Sequence, residues 1–203
     1  DGEDVTASDL IIIGGATEGD VTVSNAVAIT GNPTQVTAAL VTDSTKVVAE
    51  SATVTITGNP TITELNDIAG KTEGVVTATL APDTLSNLGD LTTAGTDAIT
   101  ITVNDGEGDA VTAANLSTLG GKTDGVVTVS NAVAITGDHD QLTAALVTDS
   151  TKVIAANATV TLNDVDGTAI GATELSAIGG KTGGDVTVSN AVAITGDHDQ
   201  LTA

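Results

Sequence analysis

The sequence predicts a mainly β fold: a parallel β-solenoid whose coils of roughly 27 residues carry short helical turns, a size within the range of stacked repeats. Three observations point there. First, the chain repeats itself. Val21–Gly31 (VTVSNAVAITG) recurs at Val127–Gly137 and Thr37–Val47 at Thr143–Val153, each 106 residues on, and Val127–Ala144 recurs unchanged at Val186–Ala203. Second, β-branched residues alternate with small polar ones in each copy, as in half-buried strands. Third, the 203 residues include no Phe, Tyr, Trp, Met or Cys. A core without aromatic anchors has to be built from thin aliphatic layers, which suit narrow, regular architectures. Because 106 residues is also about one immunoglobulin-like domain, tandem Ig-like β-sandwiches are the alternative, though the Cys, core Trp and corner Tyr marks are missing.

Aligning the Gly-Lys-Thr corners exposes the shorter unit. Leu10, Leu65, Leu116 and Leu175 each begin L-x-x-[IL]-[GA]-G-[KA]-T, at spacings of 55, 51 and 59 residues. Each interval divides again, since Val27–Thr45 resembles Val54–Thr72. This reading makes 1–203 one continuous array without caps, with approximate coils 1–18 (partial), 19–45, 46–73, 74–96, 97–124, 125–151, 152–183 and 184–203 (partial). A solenoid needs capped ends, and the chain opens Asp1-Gly2-Glu3-Asp4 without Met, so the expectation is a fragment of something longer.

Within a unit the elements follow in order. VTVSNAVAITG reads as a strand that bends at Ser130-Asn131. A polar turn follows: Gly31-Asn32-Pro33, Gly58-Asn59-Pro60 or Gly137-Asp138-His139-Asp140. Leu142 with Leu146, or Leu175 with Ile178, then places one apolar stripe on a turn or two of helix. Thr173 with Glu174, and Asp138 or Asp140, are the N-terminal caps, and Gly179-Gly180 ends the helix. Such a unit cannot bury its own apolar face, but stacking on a neighbour would do so, with parallel strands about 4.8 Å apart.

Composition narrows the function classes. A formal charge of −22, with five Lys and no Arg, argues against nucleic acid, whose binding needs phosphate neutralisation, and against anionic membrane surfaces. No apolar run approaches membrane-spanning length, so no membrane insertion is expected. The absence of Cys excludes disulfides and thiolate metal sites.

Few side chains invite chemistry. Gly-Lys-Thr at Gly70, Gly121 and Gly180 lacks the upstream glycine of a P-loop and leaves a helix rather than entering one. It reads as a structural corner. The clusters Asp138-His139-Asp140 and Asp197-His198-Asp199 read as polar helix-capping turns, with cation binding as the other reading. Asn104-Asp105-Gly106-Glu107-Gly108-Asp109 and Asn163-Asp164-Val165-Asp166-Gly167 pack oxygen ligands and glycines into turns, as hard cations require. The candidate metal ligands are therefore Asp105, Glu107, Asp109, Asp138, Asp140, Asp164, Asp166, Asp197 and Asp199, with Ca²⁺ as the ion. Thr53-Val54-Thr55, Thr100-Ile101-Thr102 and Thr159-Val160-Thr161 could form outward Thr rows that order water, although Thr also suits a solvent-facing strand. Nothing forms a reaction centre, so no catalytic residue and no enzyme are expected.

The L-x-x-[IL]-G-G-K-T motif followed by G-x-V-T-V, together with the Thr/Val/Ala/Asp richness and missing aromatics, resembles the repeat regions of giant secreted or cell-surface proteins of marine bacteria and cyanobacteria, among them adhesin-like, motility-associated and surface-layer-like proteins. The resemblance covers essentially the whole chain. It implies an extracellular or cell-surface structural segment of a fibre, filament or surface layer that self-associates or continues into further repeats. The alternative it leaves open is an adhesin or fibre module binding a glycan, a host surface or ice.

Overall fold

The computed structural model describes residues 2–42 and 44–202. The first coil's start at Asp1, Asp43 within Thr37–Val47, and the last copy's end at Ala203 lie outside the described residues. Helix covers 31% of the chain and strand 26%, so the fold is α/β. The expected mainly β solenoid is thereby corrected. The tandem-sandwich alternative falls as well, because every strand pair among the described residues is parallel. The physical reason lies between the strands. Segments expected to make a turn or two close into helices of up to nine residues, and the side chains of Thr6, Thr61 and Thr112 anchor the first turns of three of them. The chain divides into two compact units: Asp1–Ala81 with Asp90–Ile101 and Lys122–Gly125, and Pro82–Gly89 with Thr102–Gly121 and Val126–Ala203.

The first unit contains β1 (Asp4–Thr6), α1 (Ala7–Gly15), β2 (Val21–Thr22), β3 (Ala28–Gly31), α2 (Pro33–Val36), a π-helical turn (Thr37–Val41), β4 (Val47–Val48), β5 (Thr53–Ile56), α3 (Ile62–Ala69), β6 (Val76–Thr79) and the first part of β7 (Ala98–Val103). Strands β1, β3, β5, β6 and β7 pair in that order, and β2 pairs β4. Alternation decides their faces. Val54 and Ile56 are buried while Thr53 and Thr55 are exposed, as the period of two requires. Helix α3 completes the layer: Thr61 and Glu64 form a capping box, and Leu65 and Ile68, one turn apart, are fully buried. Burying each such side chain stabilises the fold by about 1.5–3 kcal/mol.

The second unit contains α4 (Leu85–Leu88), β8 (Ala110–Thr112), α5 (Ala113–Gly120), β9 (Val127–Val129), β10 (Ala134–Gly137), α6 (His139–Leu142), a π-helical turn (Thr143–Val147), β11 (Val153–Ile154), β12 (Thr159–Leu162), β13 (Ala169–Gly171), α7 (Ala172–Gly179), β14 (Val186–Val188), β15 (Ala193–Thr195) and α8 (His198–Thr202). Its sheets run β8-β10-β12-β14, β9-β11 and β13-β15. The predicted bend at Ser130-Asn131 is the break between β9 and β10. Ser130 donates to the Val103 carbonyl, and Asn131 Nδ2 donates to the Asp105 carbonyl at 2.7 Å. Ser189 and Asn190 repeat this on Leu162 and Asp164.

The Gly-Lys-Thr corner also has a structural explanation. In the first unit the buried Thr123 hydroxyl accepts from the amides of Ile99 and Gly125, each at 2.8 Å, and its proton faces the carbonyls of Asp97 and Ile99. It stands in for a peptide group where the strand ladder has none. The glycine two residues later must be glycine: a Cβ on Gly125 would lie 2.2 Å from the Ile99 carbonyl oxygen. Thr72 with Gly74, and Thr182 with Gly184, repeat the arrangement on Ala52 and Ala158. Gly125→Ala is therefore expected to cost at least about 2 kcal/mol. Gly15→Ala, whose Cβ meets nothing within 4 Å, should be neutral or slightly stabilising. Urea unfolding followed by circular dichroism measures both.

Candidate functional site

The acidic turns that the sequence singles out are mostly engaged with backbone amides. A helix leaves its first amides without intrahelical partners, and carboxylates complement that end. Asp138 caps α6 by accepting from Gln141 N at 2.8 Å, and Asp197 accepts from Gln200 N at 2.9 Å. Asp105 Oδ2 accepts from Leu85 N, the first amide of α4, at 2.8 Å. Asp109 closes its own turn on Gly106 N, and Asp166 accepts from Ala191 N. Glu107, Asp140 and Asp199 are exposed. The structure thus distributes the nine candidate ligands over separate turns, with Asp140 and Asp164 both against His139 and Asp199 beside His198.

That cluster is built at the start of α6. His139 occupies the first helical position, and its amide donates to Asp164 Oδ2 at 3.0 Å. Its ring lies 2.5 Å from the other oxygen, Nδ1 to Asp164 Oδ1. A carboxylate only accepts, so Nδ1 carries the proton. Asp164 itself is 5% exposed and sits just beyond β12. On the far side of the ring, Nε2 is 3.5 Å from Asp140 Oδ1. Glu174, in the first turn of α7, completes the group, so that one ligand atom from each of His139, Asp140 and Glu174 lies within 4.8 Å of the others.

Sequence reading missed Glu174 as a member of this group and assigned it to a cap with Thr173. The signal was available in the repeat. The equivalent Glu64 accepts from the amide and hydroxyl of its N-cap, Thr61, whereas the N-cap of α7 is Gly171, which has no side chain to offer. His139 and Asp164 show a matching exchange. In the first unit their counterparts are Pro33 and Gly58. Pro33 has no amide to satisfy, and Gly58 supplies a backbone turn at φ 97° rather than a carboxylate. His198 repeats the His139 sequence but remains exposed, and among the described residues its ring approaches its own neighbour, Asp199, at 3.7 Å.

In the first unit, an open groove of about 410 Å³ is lined by Leu40, Val47, Lys46, Lys71, Asp20 and Glu50 among others. Its charges are mixed, and no nucleophile and base converge in it among the described residues. None of the described helices is long and apolar enough to cross a membrane. No protein-family model, no curated protein and no solved structure matches the chain.

The hydrogen bond to Asp164 raises the His139 pKa above its ordinary 6.5, partly opposed by burial and reinforced by the charges of Asp164, Asp140 and Glu174. A base bound more tightly to its proton in the folded state stabilises that state when protonated. The contribution is therefore complete below about pH 6.5 and is lost as pH rises through the folded-state value. His139→Gln should lower stability in metal-free buffer more at pH 5.5 than at pH 8.5. Chemical denaturation at the two pH values checks the sign.

Proposed function

We propose that the chain is a structural repeat segment of an extracellular surface fibre, filament or surface layer, and that it performs no catalysis. One observation carries this reading: the polar side chains that recur between copies bond to the backbone. The corner threonines bind strand carbonyls and amides, the Ser-Asn pairs bind the carbonyls of the preceding turn, and the cap residues bind helix amides. What duplication has copied is therefore fold-forming chemistry. The strong negative charge and the likeness to giant bacterial surface proteins support the extracellular assignment. Immunogold microscopy of the source cells with antibody to this chain should label the envelope or fibres attached to it. Exclusively cytoplasmic label would overturn the reading.

A second reading, a surface that orders water or binds ice, has its own observation. In the first unit Thr6, Thr30, Thr55 and Thr77 stand opposite one another on consecutive parallel strands, and all four are exposed. Thr79 and Thr100 begin a second row two residues on. Neighbouring strands about 4.8 Å apart and side chains repeating every two residues make this a regular array of hydroxyl and methyl groups. Ice-recrystallisation assays test it: activity that disappears in Thr55→Lys would establish the reading, and absence of activity in the unaltered chain would remove it.

A further inference from the structure

We infer that the second unit carries a site for one divalent transition-metal ion of the zinc class, with His139, Asp140 and Glu174 as ligands and Asp164 as the group that orients the imidazole. Among the described residues, this is the one place where three such side chains come within 4.8 Å. The 3.5 Å between Nε2 and Asp140 Oδ1 also fits a bound ion. Ligands about 2.0–2.2 Å from a tetrahedral ion stand about 3.3–3.6 Å apart. One imidazole nitrogen with two carboxylates suits zinc, leaving the fourth position to water. Calcium, which takes six to eight oxygens, has too few here and would meet a nitrogen.

The assignment does not rest on proximity alone. Asp164 is buried and uses both oxygens on His139. Its bond to Nδ1 places the proton there and leaves Nε2, 3.5 Å from Asp140 Oδ1, with the free lone pair. A carboxylate behind a metal-binding histidine does this work in metal sites generally, fixing the tautomer and raising ligand basicity. Glu174 has been released from the capping bond that holds Glu64 in the first unit, because Gly171 replaces Thr61 as N-cap. Among the described residues its carboxylate makes no hydrogen bond.

Comparison of the copies gives the second line of argument. Relative to the first unit, Pro33 is replaced by His139, Thr34 by Asp140, Gly58 by Asp164, and the cap Thr61 by Gly171. The first three changes each supply a component of one site, and the fourth frees its remaining ligand. His198-Asp199 has the same local sequence but no third ligand among the described residues, so His-Asp alone does not make the site. A bound ion would tie α6 to the first turn of α7.

The 203-residue chain lacks Trp and Tyr, so calorimetry is the appropriate readout. After EDTA stripping, ZnCl2 should bind at one ion per chain by titration calorimetry and raise the melting temperature. Glu174→Gln and Asp140→Asn remove ligands that contribute little to the metal-free fold, and each should weaken binding about tenfold or more. Asp164→Asn should weaken it by about 10–100-fold. His198→Gln should bind like the unaltered chain. The inference is overturned if millimolar ZnCl2 gives neither binding heat nor a melting shift. It is also overturned if both ligand variants bind as the unaltered chain does, or if CaCl2 stabilises equally at the same concentration.

Discussion

The constraint on which the rest of the structure depends is the satisfaction of backbone groups at the corners. Where the chain turns between helix and strand, peptide groups lose their regular partners, and buried ones must find others. A chain without aromatic residues has little apolar free energy to spare for unpaired groups. The answer here is a set of short polar side chains acting as substitute peptides. Thr123 fills a gap in the ladder between Ile99 and Gly125, Asp97 accepts from Val76 N and Ala94 N while 4% exposed, and Asn131 covers the Asp105 carbonyl. At the threonine corners the approach is so close that only glycine fits two residues later, at Gly74, Gly125 and Gly184.

The same constraint explains how the aliphatic core works. With the corners satisfied, strands can pair in parallel at offsets of 21 to 26 residues within each unit. The buried side chains then fall in register. Ile29 lies beside Val54, Val54 beside Val76, and Ile135 beside Val111 and Val160. Small variation in aliphatic size is tolerated along such rows, so thin layers of Val, Ile and Leu pack without a large central ring. The exposed Thr rows are the other side of this alternation, and one register generates both faces.

Much of this was legible in the sequence, for stated physical reasons. Strand alternation in VTVSNAVAITG, the bend at Ser130-Asn131, the capping roles of Asp138 and Asp197, and the structural meaning of Gly-Lys-Thr are all local properties that the residues carry themselves. The balance of helix and strand was not legible. Leu10-Ile11-Ile12-Ile13 reads as an apolar run, but Thr6 caps it and the segment closes into α1. The helices α3, α5 and α7 are each eight residues long, longer than their two-residue apolar stripes suggest. The π-helical turns at Thr37–Val41 and Thr143–Val147 have no distinct sequence signature. There the Thr45 and Thr151 hydroxyls take up carbonyls three to seven residues earlier, an arrangement that hydrophobic periodicity does not register.

The candidate site was partly legible, and the missing part is instructive. Asp140 and Asp164 stand out as acidic turn residues, but their partners depend on which loop faces which helix. Identical repetition draws attention to what is copied, and here the copied residues serve the fold. Chemistry is to be sought where copies differ and the differences meet in space. His139 for Pro33 and Asp164 for Gly58 are a matched pair: an amide and the carboxylate that accepts from it appear together, or a proline and a glycine replace both. Either pair closes the corner, so stability alone does not require the histidine. An imidazole 2.5 Å from a buried carboxylate, facing two further carboxylates in a chain with only two histidines, is therefore the feature of the second unit that corner formation leaves unexplained.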